Sequence, residues 1–441
     1  EEKIAEFMNE VGAETTAVII MNPNNGEVLA MANNRTFNLN QPGDLSAYYT
    51  DADYDATNVA NLLEYYTQEQ IDAMTEEQRT LNLKAARQDD IWRNYCISEV
   101  VEPGSTAKIF TVAAGLEEAI ISKNSSYYCD GGEEFSGIGV ACHLKRGHEM
   151  LSLKETLMES CNDALMQIGL KIGAKTFDKY QDLFNFGMKT GIDLSGEERG
   201  LVWESDQVTD LTLATESFGQ NYNVTMVQLA AAFSSVINGG YYYEPHMVRQ
   251  LLGADGNVKE TIDKTLVRRT VSNSTCEFIK DALLATVDRG TGEAAAIPGY
   301  AFAGKTGTAQ KYPREAEHYL ISFAGFLPYD DPEILIYVVI DEPNVEKQDE
   351  GGFGTALTKE IMEALIPYLN LHPTREIPEE EKPQVEDAVV EEPDMQEPEE
   401  PEEPQAEEPI VDDDRVYTNG NDNQIYENLQ QQSTRVPEGI D

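Results

Sequence analysis

Strand-like segments at the two ends of the chain place the strongest limit on its fold. Residues 15–33 read TTAVIIMNPNNGEVLAMAN, two apolar runs around a turn sequence, which predicts a hairpin. Three more strand-like runs follow much later, at residues 300–310, 318–328 and 333–342. Because the sequence between them is mainly helical in its apolar spacing, the hairpin has to pair with the late strands. We therefore predict an α+β fold, with an antiparallel sheet of about five strands and a helical middle section folded over it.

The composition changes near residue 372 and divides the chain into two parts. Residues 1–371 carry the helix and strand patterns and are expected to form one domain. Within that domain, the polar, Tyr-rich residues 41–95 include a stretch with helical spacing and are interpreted as an insertion. Residues 372–441 are rich in Pro and Glu and lack hydrophobic periodicity, so we expect an acidic, disordered tail.

The charge balance limits the partners of the chain. There are 80 Asp and Glu residues against 32 Lys and Arg residues, a formal net charge of -48 at pH 7. A surface with this charge repels phosphate backbones and anionic lipid headgroups, so we expect no nucleic-acid partner. No run of about 18 apolar residues is present in the sequence. Because residue 1 is Glu and opens a helical pattern, we interpret the chain as a fragment of a longer protein.

The stretch EPGSTAKIFT, residues 102–111, places a serine and a lysine three residues apart. Ser105 is expected to open a helix after Pro103-Gly104, with Lys108 one turn along the same face. A serine hydroxyl becomes nucleophilic when a base removes its proton, and a lysine is that base only when burial or a nearby cation destabilises its ammonium. The alternative, and the commoner case for this spacing, is an N-cap serine followed by a solvated lysine.

A second short motif, Ser160-Cys161-Asn162, lies in the helical stretch LMESCNDALMQ. A serine and an asparagine one residue apart fit a short break between helices, with both side chains on one side. There Ser160 can relay a proton to and from Lys108, and Asn162 can orient that lysine. The alternative is an N-cap for the helix that follows. A similar spacing at residues 122–124 is interpreted as a turn.

Lys-Thr-Gly occurs twice, at residues 189–191 and 305–307. The first copy follows a predicted helix stop at Gly187 and precedes a polar loop, and nothing in the sequence holds it rigidly. The second copy lies in the strand YAFAGKTGTAQ, where small residues on both sides permit close approach by a ligand. An edge strand of this kind can hold an extended peptide by main-chain hydrogen bonds, and Lys305 adds a cation for a carboxylate.

Ser-x-x-Lys, Ser-x-Asn and Lys-Thr-Gly in this order are the signature of the penicillin-recognising serine acyltransferases. Over about residues 10–371 the chain resembles class B penicillin-binding proteins, also in NPNNGEVLAMAN, TGIDLSGE and GQNYNVTMVQLAAAFSSVINGG. The resemblance implies the transpeptidase fold shared with serine β-lactamases, an antiparallel sheet of about five strands with helices on both sides and an all-helical subdomain. It also implies a peptidoglycan D,D-transpeptidase that β-lactams inhibit, similar to the division, elongation and sporulation enzymes of Gram-positive bacteria.

The resemblance also assigns roles to the motif residues. Ser105 is expected to attack the D-Ala-D-Ala carbonyl of a stem peptide, with Lys108 as its general base. Ser160 and Asn162 complete the proton path, and Lys305 helps to hold the terminal carboxylate of the peptide.

Three further residues of the strand, Thr306, Gly307 and Thr308, are expected to bind the substrate. The backbone N–H groups of Ser105 and Thr308 would form the oxyanion hole. The partners implied are stem peptides as donor and amine acceptor, β-lactams and a partner glycosyltransferase, and the chemistry requires no cofactor. The resemblance places the parent protein on the extracellular face of the bacterial cytoplasmic membrane. It also implies an N-terminal anchor and a pedestal domain, which this chain does not include.

A cluster of potential metal ligands precedes the second motif. Cys129, Asp130, Cys142, His143 and His148 lie within twenty residues of one another. Two thiolates with an imidazole and a carboxylate make a plausible Zn²⁺ site, for which Cys129, Asp130, Cys142 and His148 are the predicted ligands. The alternatives are a disulfide between Cys129 and Cys142, or two free thiols. Cys161 is interpreted as a small buried residue.

Two other functional classes remain open at this point. A serine β-lactamase needs a carboxylate that activates water for deacylation, and no such carboxylate in a Glu-x-x-Leu-Asn setting lies between the second motif and Lys305. A β-lactam sensor would acylate without cross-linking, and a non-catalytic division scaffold would tolerate the loss of Ser105.

Overall fold

The computed structural model describes residues 1–349 and 352–376. The strands of this part are, in chain order, β1 (Ala13–Met21), β2 (Val28–Asn33), β3 (Ser126–Cys129), β4 (Gly132–Phe135), β5 (Ile138–Ala141), β6 (Glu149–Ser152), β7 (Tyr241–Tyr243), β8 (Gln250–Leu252), β9 (Val258–Thr261), β10 (Leu266–Arg269), β11 (Ala303–Gln310), β12 (Tyr319–Leu327) and β13 (Ile334–Pro343). The α-helices are α1 (Glu2–Glu10), α2 (Val59–Leu63), α3 (Gln68–Ala73), α4 (Glu76–Trp92), α5 (Tyr95–Ser98), α6 (Lys108–Glu117), α7 (Leu153–Met158), α8 (Asn162–Ile172), α9 (Ala174–Leu183), α10 (Asp210–Glu216), α11 (Met226–Ile237), α12 (Asn273–Arg289) and α13 (Gly352–Tyr368). None of the helices in these ranges is long and apolar enough to cross a bilayer.

Five of the strands form one antiparallel sheet in the order β11-β12-β13-β1-β2. This arrangement confirms the prediction that the N-terminal hairpin pairs with the three late strands. The hairpin joins the sheet through β1 and β13, where Ile19 lies opposite Tyr337. At the other end of the sheet, β11 is bonded to β12 with Lys305 opposite Ala324.

Helices cover both faces of the sheet, as the resemblance implied. Side chains alternate between the faces along each strand. Ile19 and Tyr337 point into the larger core, which also contains α6, α8 and α11. Their neighbours Val18 and Ile336 point into a second core beneath α1 and α13. Helix α11 is buried along its whole length, so it forms the centre of the helical middle section.

The predicted insertion contains three helices, α2, α3 and α4. Capping boxes at Thr67 and Thr75 begin the second and third of them, which explains why the helical spacing was readable in the sequence. A small core of its own holds the region together, made by Ala56, Leu62, Ile71 and Leu83. The region is therefore a satellite of the domain with a separate apolar cluster.

Four small two-stranded sheets lie outside the main sheet and were not predicted. Strands β3 and β6 pair with each other, and β4 pairs with β5. These strands are only four residues long, and β4 and β5 have no fully buried side chain, so they lack the long apolar runs that mark the main sheet. They matter for function because they carry Cys129 to the neighbourhood of α8, and Cys142 directly follows β5.

The first residues of the predicted tail contact the domain. Residues 377–441 of the predicted tail are outside the described residues. The preceding residues contact the domain, because Thr374 Oγ1 accepts a hydrogen bond from Ala301 N at 2.7 Å. Arg375 also forms two hydrogen bonds with the carboxylate of Asp288, at 2.7 and 3.0 Å. Contacts with the domain therefore continue past the predicted boundary at residue 371.

Candidate active site

Ser105 lies on a short 3-10 turn, Gly104–Ala107, that leads directly into α6. Gly104 adopts φ +56, and a Cβ at this residue would lie 2.6 Å from Thr308 O. Only glycine combines this backbone angle with so close an approach. The segment that carries Ser105 is therefore packed closely against β11, and Ser105 itself is half-buried at the contact.

Lys108 is the first residue of α6 and is fully buried. Its Nζ donates to Ser160 O at 2.6 Å, to Ser160 Oγ at 3.0 Å and to Asn162 Oδ1 at 2.7 Å. Burial lowers the pKa of Lys108 to about 8, because the charged form loses its hydration. The alternative of a solvated lysine beside an N-cap serine is therefore wrong.

Ser160 occupies the break between α7 and α8 and adopts φ +53, an unusual backbone angle for a residue with a side chain. Strained positions of this kind persist where the surrounding structure enforces them, and they concentrate in functional sites. The break turns the Ser160 hydroxyl and the Asn162 amide toward the same lysine. The predicted short interruption of the helical stretch is present, and the N-cap of α8 is Cys161, whose Sγ accepts from Ala164 N at 3.4 Å.

Lys305 reaches the same hydroxyl from the sheet. Its Nζ donates to Ser160 Oγ at 2.9 Å and to Thr306 O at 3.1 Å, and its side chain is fully buried. Burial, and after it the nearby charge of Lys108, lower the pKa of Lys305 well below its usual value. Two lysines on different elements thus share one serine, and the three motifs meet in space.

The strand beside the nucleophile is shaped for close approach. Strand β11 is the outermost strand of the main sheet, so one of its edges has no strand partner in the described ranges. A Cβ at Gly307 would lie 2.1 Å from Ser322 Oγ and 2.9 Å from Thr106 Cγ2, so a larger residue there would displace these side chains. Thr306 and Thr308 are half-buried, and Thr306 Oγ1 lies 3.0 Å from Thr291 Oγ1.

The other Lys-Thr-Gly copy has a structural role. Thr190 N and Oγ1 both donate to Glu197 Oε1 at 2.6 Å, and Gly191 N donates to Glu197 Oε2 at 3.3 Å. The expectation that nothing holds this copy was wrong, because a buried carboxylate seven residues later organises the turn. Lys189 itself is exposed and lies outside the lysine pair.

Next to Ser160, four potential metal ligands converge. The ligand atoms of Cys129, Cys142, His148 and Cys161 all lie within 4.8 Å of one another. The group differs from the predicted ligand set in that it contains Cys161 and not Asp130.

The structure also shows where His143 lies and that the cysteines are not paired. His143 stacks edge-on against His148 with ring centroids 5.0 Å apart. All the cysteines of the chain are free thiols here, so the disulfide alternative is not formed. Cys161 is buried, as expected, but it is a member of the cluster and not a simple filler.

Three of the distances within the cluster are close to those of a tetrahedral zinc site. Cys142 Sγ and Cys161 Sγ are 3.9 Å apart, and His148 Nδ1 lies 3.4 Å from Cys129 Sγ and 3.7 Å from Cys142 Sγ. Tetrahedral coordination with ordinary zinc bond lengths places two sulfurs about 3.8 Å apart and a sulfur and a nitrogen about 3.6 Å apart. Three thiols and one imidazole are also a common ligand set of structural zinc.

Comparison with known proteins agrees with this geometry. Residues 16–363 match the model of the penicillin-binding protein transpeptidase domain. The chain belongs to this family. The resemblance to class B penicillin-binding proteins is confirmed, and the observed sheet and helices confirm the fold that it implied.

Individual members of the family show how much of a relative the chain represents. Stage V sporulation protein D of Bacillus subtilis is 32% identical over 364 residues, covering 81% of this chain and 50% of that protein. Peptidoglycan D,D-transpeptidase FtsI of Escherichia coli K12 is 26% identical over 370 residues, covering 82% and 53%. The chain thus spans about half the length of these curated relatives. The solved structure of penicillin-binding protein 3 from Mycobacterium tuberculosis with ampicillin has a TM-score of 0.67 at 25% identity, covering 84% of this chain and 76% of that one.

Proposed function

We propose that this penicillin-binding protein domain is a peptidoglycan D,D-transpeptidase that works through an acyl-enzyme on Ser105. The observation that carries the proposal is the convergence of two buried lysines, Lys108 and Lys305, on the hydroxyl of Ser160. A solvated lysine is protonated at neutral pH and accepts no proton, whereas a lysine with a pKa of about 8 is partly neutral. Family membership supports the same reaction class.

In the acylation step, the neutral amine of Lys108 removes the proton from Ser105 Oγ, which attacks the carbonyl carbon of the penultimate D-Ala. The N–H groups of Ser105 and Thr308 stabilise the oxyanion of the tetrahedral intermediate. When the C–N bond breaks, the terminal D-Ala leaves as an amine, with a proton that Ser160 relays from Lys108. Lys305 lies near the carboxylate of the terminal D-Ala. The negative charge of that carboxylate stabilises the ammonium of Lys305 and offsets the loss of hydration that burial causes.

In the second step, the amine of another stem peptide attacks the ester carbonyl. Lys108 accepts the proton of that amine, and a proton returns to Ser105 Oγ as the ester bond breaks. The products are one new amide cross-link and the free enzyme. A β-lactam undergoes only the first step, because its leaving amine stays attached after ring opening and blocks the acceptor.

The substrates and the setting follow from the same proposal. The donor is a stem peptide ending in D-Ala-D-Ala, the acceptor is an amine on a second stem peptide, and no cofactor takes part in the chemistry. The parent protein would work on the extracellular face of the cytoplasmic membrane beside a partner glycosyltransferase that supplies the glycan strands. The ampicillin complex of the mycobacterial relative supports β-lactam binding by this fold.

Labelling with a fluorescent penicillin tests the proposal. Wild-type protein is expected to carry one covalent label, and Ser105→Ala is expected to carry none. Ser122→Ala is the matched control, because Ser122 belongs to the other Ser-x-Asn spacing and lies outside the lysine pair. Labelling of the Ser105→Ala variant would show that Ser105 is not the nucleophile.

The lifetime of the adduct separates the rival enzymes. A transpeptidase is expected to hold the penicilloyl group for many minutes, whereas release within seconds would indicate a β-lactamase. A synthetic donor peptide with an added D-amino acid acceptor separates the sensor and the scaffold, since neither would form the exchanged product.

We also propose that Cys129, Cys142, His148 and Cys161 bind a structural Zn²⁺ ion. The proposal rests on the tetrahedral distances among their sulfur and nitrogen atoms. Because Cys161 lies between Ser160 and Asn162, the ion would anchor the break that presents both residues to Lys108. Metal binding would thus stabilise the active-site geometry and take no part in the chemistry.

Metal analysis under reducing conditions tests the zinc proposal. About one Zn²⁺ per chain is expected for the wild type, and Cys161→Ser should lose most of it. Cys276→Ser is the matched control, because Cys276 is also buried but donates to Ser235 O, outside the cluster. A metal-free wild type would contradict the proposal, as would a thiol titration of denatured protein that finds a disulfide between two of the ligands.

A further inference from the structure

An ion pair joins the loop after β11 to the segment before the nucleophile. Arg314 Nη1 donates to Glu102 Oε2 at 2.9 Å, and Nη2 donates to Glu102 Oε1 at 2.8 Å. The side chain of Glu102 is 10% exposed and that of Arg314 is 25% exposed. Two parallel hydrogen bonds between a planar guanidinium and a carboxylate restrict distance and orientation together, which a single-point contact does not.

The Glu102 end of the pair is anchored close to the catalytic serine. Glu102 lies three residues before Ser105, and its Oε1 also accepts from Asn221 N at 2.8 Å. The backbone around it is bonded to the same neighbouring segment, because Gly104 N donates to Gly219 O at 2.9 Å. A shift of Glu102 would therefore be transmitted to the nucleophile turn.

The Arg314 end is anchored close to the substrate-binding strand. Gln310, the last residue of β11, donates from Nε2 to Arg314 O at 2.7 Å. The guanidinium lies over the ring of Tyr312, 4.1 Å from its centroid, and the Tyr312 hydroxyl lies 3.3 Å from Asn221 Oδ1. The loop thus contacts Asn221 directly as well as through Glu102, and both contacts lead back to the nucleophile side of the cleft.

We infer that the Arg314–Glu102 pair sets the position of β11 relative to Ser105, and that both are positioning residues for the oxyanion hole. The two donors of that hole, Ser105 N and Thr308 N, belong to the two segments that the pair connects. These segments are already in van der Waals contact at Gly104 and Thr308. Donors of an oxyanion hole act only when both reach the same oxygen, and a displacement of about 1 Å costs on the order of 10²-fold in rate. The inference rests on the proposed acylation of Ser105.

The kinetics of labelling by a fluorescent penicillin test the pair. In Arg314→Ala the maximal acylation rate should fall by about 10²-fold, with a smaller change in the half-saturating concentration. Glu102→Ala should show a similar loss, and the double variant should be no slower than the slower single variant, because one interaction is removed in all three. Arg314→Lys keeps the positive charge but cannot form the two parallel hydrogen bonds, and it should give an intermediate rate.

The chain supplies a matched control for general destabilisation. Arg375 forms a second bidentate pair, with Asp288, that touches none of the catalytic residues. Arg375→Ala removes a bidentate pair in a more exposed position and should leave the maximal acylation rate unchanged. The melting temperatures of both variants measure the general destabilisation.

Each outcome decides between the two proposals. A wild type that does not label, or a Ser105→Ala variant that does, overturns the proposed function. A labelled wild type whose maximal rate is matched by that of Arg314→Ala overturns the positioning inference alone. A rise in the half-saturating concentration without loss of maximal rate would also overturn it, because that result indicates a direct contact with the penicillin.

Discussion

At the scale of single residues, the site consists of polar groups made unusual by burial. The spacing of Ser105, Lys108 and Lys305 was readable in the sequence, because each motif brings its own local context. Ser160 was predicted as the partner of Lys108, but its contact with Lys305 was not, since that contact depends on the left-handed backbone of Ser160 at a helix break. Cys161 was missed as a cluster member, although its place inside the second motif, near two earlier cysteines, was a usable signal.

The pH dependence of acylation reports on the base. Burial lowers the pKa of Lys108 from 10.5 to about 8, so the neutral amine becomes the major form only above that pH. We expect the labelling rate to rise with pH up to about 8 and then to level. Stopped reactions with a fluorescent penicillin from about pH 6 to pH 10 measure this pH dependence of the labelling rate. A rate that is flat or falls over this range would show that another group is the base.

Replacement of that lysine by arginine separates charge from basicity. Arginine stays protonated at every pH in this range, so Lys108→Arg keeps a cation and loses the base. The labelling rate should fall by about 10² to 10⁴-fold. The folded content, measured by circular dichroism, is the control for this variant. A folded variant that labels at the wild-type rate would show that Lys108 works as a cation only.

At the scale of elements, long apolar runs in the sequence predicted the strands of the main sheet. The short strands of the small sheets could not be predicted from the sequence. Strands β12 and β13 are buried on both faces, and β1 is buried from Thr15 onward, so their apolar content is high and continuous. The small sheets around Cys129 and Cys142 are stabilised by contacts with the rest of the domain, which a local pattern does not record. The zinc proposal depends on those contacts, and the first ligand set was incomplete for that reason.

The structural Lys-Thr-Gly turn should behave differently from the catalytic one. Lys189→Ala is expected to label with penicillin at the wild-type rate, because its side chain is exposed. Glu197→Ala leaves the N–H groups of Thr190 and Gly191 without their acceptor and should lower the free energy of unfolding by about 1–3 kcal/mol. Urea denaturation and labelling measure the two effects. Loss of labelling in Lys189→Ala would contradict the assignment of the copies.

At the scale of the whole molecule, the residues described form one domain with a satellite region. The polarity and helical spacing of residues 41–95 predicted this region from the sequence, but they indicated no role for it. What the sequence could not show is that the region has an apolar cluster of its own, because Leu62, Ile71 and Leu83 are spread over three helices. Such a region can open without the rest of the domain.

Local opening of the insertion can be measured directly. Leu83 is fully buried in the small cluster, and Leu83→Ala leaves a cavity there. Hydrogen exchange should become faster in residues 56–92 and stay unchanged in β12 and β13. Acylation by penicillin should also be unchanged. Faster exchange in the main sheet would show that the insertion and the sheet unfold together.

The order of the strands in the main sheet has a consequence for how the protein is made. Strand β1 lies between β2 and β13, with Ala13 opposite Pro343. The hairpin is made before the helical middle section, but the strand that covers its other edge is made about 300 residues later, a delay of roughly 15–60 s on the ribosome. During that time the edge of β1 is open to pairing with other chains. The contact order of the fold is therefore high, and most of its sheet can assemble only after nearly the whole domain has been synthesised.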